Sequence, residues 1–198
     1  MRRDPLPRAG AHGSCPGWPP RLFRLSSVLL ALAAALPAPA QAGEWEVALR
    51  HGQHGGDYEA TALDLRLGPW WTSDWGHWDL SVRPAFEVSH FRQTHFSPGP
   101  DALNLFGASG VFRIQRREGF LQPYAEAGLG AAWLSRESLG PRQLSTHFQF
   151  SERLGLGLAF GGNWFAGWQY THYSNGGIKE PNNGVDVHQL VIGARLRY

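Results

Sequence analysis

His172 and Ser174 lie two residues apart in a run that alternates with a period of two from Trp164 to Asn175. Side chains two apart on a β-strand point to the same side, so an imidazole and a hydroxyl at this spacing can meet without a special loop. A carboxylate, Asp186, follows across a turn rich in glycine, asparagine and proline. These are the parts of a serine hydrolase: a hydroxyl to attack an acyl carbon, an imidazole to take its proton, and an acid to orient the imidazole. A His-x-Ser pair alone has little specificity, and the competing reading is a strand that turns polar where it ends. The elements carrying the three residues decide between the two.

One row of this strand holds Trp164, Ala166, Trp168, Tyr170, His172 and Ser174; the other, smaller and more polar, holds Gly167, Gln169, Thr171, Tyr173 and Asn175. The last segment sets Leu190, Ile192, Ala194, Leu196 and Tyr198 against Val191, Gly193, Arg195 and Arg197. Counting back in twos from Leu190 passes His188 and reaches Asp186. If both segments share a sheet, Asp186, His172 and Ser174 all lie on its apolar face.

Alternation recurs from Gly43 onward, with no helical periodicity of useful length. Trp45, Val47 and Leu49 oppose Glu46, Ala48 and Arg50. Leu63 and Leu65 oppose Asp64 and Arg66, and Leu80, Val82, Phe86 and Val88 oppose Asp79, Ser81, Arg83 and Glu87. A strand from about Ala102 to Ile114, with Leu103 and Leu105 on one side, loses its phase after Gly107, where a bulge is expected. Leu129, Ala131 and Trp133 then oppose Glu126, Gly128 and Gly130, and Leu154, Leu156 and Leu158 oppose Arg153, Gly155 and Gly157. About eight strands result, the smallest number for a transmembrane barrel.

Alternation does not by itself separate a soluble barrel, with its apolar row inside, from a membrane barrel with that row outside. Three features favour the membrane barrel. The second row mixes glycine and alanine with charged residues, as a narrow polar lumen requires. Trp70, Trp71, Trp75 and Trp78 surround one turn, with Trp164 and Trp168 near another, which suits interfacial girdles. The alternate apolar residues that finish in Tyr198 resemble the C-terminal signal of bacterial outer-membrane proteins, which makes the barrel-assembly machinery an expected partner. The predicted fold is all-β: an eight-stranded antiparallel transmembrane β-barrel of the outer membrane. The alternative is an exported soluble barrel with a lipocalin-like interior.

The 198 residues, net charge +2, 13% aromatic content and 25 glycines suit one β-rich domain. Arg21 and Arg24 precede an apolar run from Leu25 to Leu36, and Ala40-Gln41-Ala42 has the small residues a signal peptidase reads. Residues 1–42 are therefore expected to be an extension and signal peptide, and residues 43–198 the barrel. The run is about a dozen residues, short of the ~20 that span a bilayer as a helix. The only cysteine, Cys15, falls before that run, so the barrel is expected to hold together without disulfides.

The stretch Ala166–Asp186, with His172-Tyr173-Ser174-Asn175-x-Gly177, Lys179 and Pro181-Asn182-x-Gly184, resembles the active-site segment of the PagL-type lipid A 3-O-deacylases. Pro123-Tyr124-x-Glu126-Ala127-Gly128-x-Gly130 and Asn163 with the strand after it extend the likeness, which runs from about Trp45 to Tyr198. The resemblance implies an eight-stranded outer-membrane enzyme that hydrolyses the ester of the acyl chain at position 3 of lipid A in lipopolysaccharide. Ser174 then resembles the nucleophile and His172 the base. Asp186 stands where the family pattern has a glutamate, one methylene longer, and Glu180 in the connecting loop is the alternative acid.

The backbone N–H groups of Asn175 and Gly176 are the candidate oxyanion donors. An outward-facing site would let lipid A reach it laterally, with its tails in hydrocarbon. Trp168 and Tyr170 would border the acyl chain or serve as plain lipid-facing aromatics. Lys179, the only lysine, is either a solvated loop cation or a contact for a lipid A phosphate.

No metal, nucleotide or other cofactor is needed for this chemistry. His51, His54 and Asp57 lack a convincing further ligand and are assigned to a loop. Gly155-Leu156-Gly157-Leu158 is followed by no helix to receive phosphate. Glu126, Arg153, Gln169 and Arg195 are expected to form a lumenal network. Basic and acidic residues are interspersed, which argues against nucleic acid. The rival functions are a non-enzymatic small barrel, such as an adhesin, and an outer-membrane phospholipase. Whether two copies pair as a homodimer stays open.

Overall fold

Period-two alternation punctuated by glycine turns lets each strand fold back beside the one before it. The computed structural model describes residues 43–197; the expected leader, Cys15 and the terminal Tyr198 lie outside them. The strands are β1 (Glu44–His54), β2 (Tyr58–Arg66), β3 (Trp71–Trp75), β4 (Trp78–Gln93), β5 (Ala102–Arg116), β6 (Leu121–Leu134), β7 (Ser138–Leu139), β8 (Arg142–Gln143), β9 (Phe148–Phe160), β10 (Trp164–Ser174) and β11 (Val185–Arg197). All pairings are antiparallel. Pairing of β1 with β11 and of β2 with β4 closes an eight-stranded barrel. The short β7 and β8 form a separate hairpin within the β6–β9 loop.

β3 continues β2 along the same edge of β4. One ladder ends at Arg66↔Ala85 and the next begins at Trp71↔Val82, so residues 67–70 bulge opposite Arg83 and Pro84. Pro84 has no N–H to offer a regular ladder, but its carbonyl accepts the Leu67 amide at 2.9 Å. The expected bulge in β5 is absent: β4 and β5 pair without a break from Trp78↔Arg116 to Arg92↔Ala102. His51 and His54 belong to β1 rather than to a loop.

The inner row is polar and buried. Arg50 is fully enclosed, pairing with Asp64 at 2.8 Å, with Glu87, and with Gln189 at 2.6 Å. Arg153 reaches Glu87 at 3.1 Å. Further along the lumen Glu126 takes Arg66 and Arg113, each at 2.6 Å, and Glu46 takes Arg113 at 2.7 Å and Arg195 at 3.1 Å. Gln169 donates to Thr171 Oγ1 at 2.9 Å. Charges out of water need such opposite-charge pairing.

The lumen leaves no room at Gly193 and Gly157: a Cβ on Gly193 would stand 2.2 Å from Phe165 Cζ, and one on Gly157 2.4 Å from Tyr124. Above the charges, an apolar plug of Phe91, Leu103, Leu105, Leu134, Leu139, Leu144, Tyr173 and Val185 fills the loop end. The barrel is a packed cylinder.

The outer row is apolar and exposed, with Leu49, Leu63, Val88, Phe106, Leu154, Leu156, Leu190 and Ile192 among its members. A belt this extensive calls for lipid. The longer loops, 94–101, 135–147 and 175–184, share one end; short turns and the start of β1 share the other. In outer-membrane barrels the long loops face the exterior.

Candidate active site

β10 and β11 are neighbours joined by loop 175–184, and their register sets His172 directly opposite Asp186. Both belong to the outward row: their inner-row neighbours Thr171, Tyr173, Val185 and Val187 are buried in the lumen, while His172 and Asp186 are part-exposed. His172 Nδ1 lies 2.7 Å from Asp186 Oδ1, so the aspartate spans the gap despite its shorter side chain. This contact holds the imidazole with Nδ1 toward the acid, leaving Nε2 as the nitrogen to exchange a proton with a hydroxyl. Ser174, two residues along the same row, ends β10 and is 7% exposed.

Between the two, Tyr173 points inward. Its hydroxyl donates to Glu87 Oε1 at 2.7 Å and its ring meets Phe91 edge-on. The strand segment carrying His172 and Ser174 is therefore pegged from the lumen side to the Arg50–Glu87 cluster.

Loop 175–184 is organised by Asn175, which is completely buried. Its side-chain amide donates to Lys179 O at 2.7 Å and Leu144 O at 3.1 Å, and its Oδ1 accepts the Gly177 amide at 2.8 Å. Its own backbone amide donates to Asn182 Oδ1 at 3.1 Å. Of the two amides expected to serve as oxyanion donors, that of Asn175 is thus already engaged. Gly176 follows with a φ of 67°, a conformation glycine adopts without strain.

The β6–β9 loop holds this loop by hydrogen bonds to its backbone. Arg142 Nη1 donates to the carbonyls of Asn183 at 2.7 Å and Gly184 at 2.9 Å, and Ser145 Oγ donates to Pro181 O at 2.8 Å. Gly184 backs directly onto the His172 imidazole: a Cβ there would lie 3.0 Å from His172 Cε1.

The remaining expected residues sort by distance from this centre. Tyr170 comes into it, its hydroxyl donating to Asp186 Oδ1 at 2.5 Å. Trp168 is 39% exposed and stacks on His188 with centroids 5.7 Å apart. Lys179 is exposed and faces Glu137 at 3.8 Å. Glu180 caps the loop, its Oε2 accepting the Asn182 amide at 3.0 Å, and Asp186 is the acid the register places opposite His172. Four neighbours lie beyond the residues expected from sequence: His54, Tyr173, Asn182 and Glu152, the last standing opposite His172 across the β9–β10 register. Counting back in twos from Leu154 finds Glu152 on the outer row.

A small lipid-facing barrel with an acid-oriented imidazole and a serine on its outer wall defines an outer-membrane protein of hydrolase type. The chain belongs to the family described as lipid A 3-O-deacylase (PagL), whose model matches residues 57–195. It is 34% identical over 173 residues to the lipid A deacylase PagL of Bordetella bronchiseptica, covering 85% of this chain and 92% of that protein. It is 30% identical over 167 residues to the lipid A deacylase PagL of Pseudomonas aeruginosa, covering 83% and 92%. A crystal structure of the outer-membrane enzyme PagL shares the fold with a TM-score of 0.65 at 24% identity, covering 75% of this chain and 97% of the other.

Proposed function

We propose that this protein is an outer-membrane lipid A 3-O-deacylase that works through Ser174, His172 and Asp186. The observation that carries the reading is the 2.7 Å contact between His172 Nδ1 and Asp186 Oδ1 on the lipid-facing wall, with Ser174 two residues away on the same row. Ser174 Oγ attacks the ester carbonyl as its proton passes to His172 Nε2, and Asp186 stabilises the resulting imidazolium. The tetrahedral oxyanion takes the Gly176 amide, with the Asn175 amide available only if Asn182 lets go. Collapse breaks the ester bond, and the imidazolium returns the proton to the 3-hydroxyl of the lipid. Water, deprotonated by the same imidazole, then attacks the acyl-enzyme; collapse breaks the bond to Ser174 Oγ, which takes the proton back from the imidazolium as the 3-hydroxy fatty acid leaves.

The site's position supports lateral entry of a lipid whose chains stay in hydrocarbon while its ester sits at the rim. Trp168, flat against His188, is suited to border the acyl chain. Lys179 sits on the exterior loop beside Glu137 and suits a lipid phosphate once that carboxylate yields.

Lipid A mass spectrometry after incubation with purified barrel tests the reading. Wild type should remove one 3-hydroxyacyl group, whereas Ser174→Ala should fold, keep its heat-modifiable migration and remove none. An intact lipid A with both proteins, or release of fatty acid from phosphatidylglycerol alone, would overturn it.

A further inference from the structure

Asp186 is bracketed from two sides by residues that take no part in passing the proton. Its Oδ1 accepts the Tyr170 hydroxyl at 2.5 Å and faces His172 Nδ1 at 2.7 Å, so one oxygen serves both. From β1, the His54 ring lies against the main chain of the same residue, its Nδ1 3.1 Å from the Asp186 amide nitrogen and 2.5 Å from the carbonyl oxygen. Tyr170 is itself braced: its ring tilts at 41° against His188, with centroids 5.2 Å apart, and His188 stacks at 19° on Trp168. A ladder of rings thus climbs the outer wall and ends in a hydroxyl on the acid.

An aspartate side chain turns about two bonds, and this one is 44% exposed at the rim. Water and polar lipid groups compete there for its oxygens, and an unanchored carboxylate would spend time facing them rather than the imidazole. A second donor on the oxygen that faces Nδ1 removes that freedom, and the hydrogen bond is strengthened by the charge it receives.

The geometry points to Tyr170 as a positioning residue for ester hydrolysis: its hydroxyl fixes Asp186 Oδ1 on His172 Nδ1, while His54 fixes the main chain behind. This rests on the proposed roles of Ser174, His172 and Asp186. It assigns the tyrosine's oxygen a task distinct from any contact its ring makes with an acyl chain.

Tyr170→Phe separates the two, because it keeps the ring and deletes the oxygen. Steady-state kinetics on lipopolysaccharide in mixed micelles should show kcat lower by about tenfold to a hundredfold, the range for a hydrogen bond to a charged group, with KM unchanged. Since the hydroxyl acts only through the acid, the same substitution in an Asp186→Asn background should cost nothing further. A raised KM with intact kcat, an equal loss in both backgrounds, or no loss in the parent would each overturn the assignment.

Heat-modifiable migration reports folding. Should Tyr170→Phe fail that check, His54→Phe, which removes the ring nitrogens from the other half of the bracket, must show the same pattern of lowered kcat, steady KM and no added cost beside Asp186→Asn. Ser174→Ala tells the two levels of failure apart. If that variant stays active, the underlying roles fall; if it is inactive while Tyr170→Phe behaves as wild type, only the role of Tyr170 falls.

Discussion

Gly184→Ala should slow the enzyme without unfolding it, through a displacement that can be worked out atom by atom. The new Cβ would sit 2.9 Å from Tyr173 O, 3.0 Å from His172 Cε1 and 3.6 Å from His172 Nε2, where ordinary contact begins near 3.4 Å. Tyr173 is paired with Val185 in the ladder and pegged to Glu87, so its carbonyl has little room to retreat. The imidazole and the loop must move instead, by about 0.4 Å. Where misplacement by about 1 Å costs on the order of 100-fold, this shift should lower kcat about 5- to 10-fold.

The strain is overpacking, on the order of 1–3 kcal/mol, and falls at the rim of a barrel held by its lumen. The assay is release of 3-hydroxy fatty acid from lipopolysaccharide, with Gly68→Ala as control, since a Cβ there meets nothing nearer than 3.4 Å. A wild-type kcat in Gly184→Ala, or an equal loss in Gly68→Ala, would refute the claim that the edge of the imidazole must stay where Gly184 leaves it.

Two further expectations address the acid and the lumen. Asp186→Asn keeps the shape but favours the wrong tautomer of His172, so kcat should fall by roughly 10⁴-fold while the barrel folds normally; a loss under tenfold would mean another group orients the base. Arg50→Met removes one of the two cations that Asp64 and Glu87 share, Arg153 being the other, which should cost about 3–5 kcal/mol and lower the denaturant midpoint. An unchanged midpoint would show that Arg153, with Arg66 beside Asp64, suffices to neutralise both carboxylates.

The pairing of His172 with Asp186 is legible because the two strands are consecutive: alternation fixes the face, and a hairpin fixes the neighbour. His54 is not legible in the same way. It reaches Asp186 across 132 positions of chain, through the β1–β11 seam that closes the barrel, and nothing local announces that register.

The expectation of a bulge in β5, which the ladder lacks, has a physical source. Leu103 and Leu105 point into the apolar plug, whereas Phe106 and Phe112 face outward. The apolar row therefore changes sides while the strand stays regular, because the lumen turns from charged to oily near its loop end. Asn182 escapes sequence reasoning for another reason: an asparagine in a turn reads as turn chemistry, and only the fold shows its oxygen holding the amide that follows Ser174.

The packed interior has a consequence for turnover. With the bore stoppered by charge clusters and leucines, no lipid passes through the molecule, and the lipid substrate and both products share a single two-dimensional phase outside it. Encounter then depends on how crowded the leaflet is with lipopolysaccharide, so velocity in detergent should track mole fraction at the micelle surface rather than bulk molarity. A catalyst built this way needs no channel to open and close, and its supply of substrate is set by how densely lipid neighbours crowd the wall.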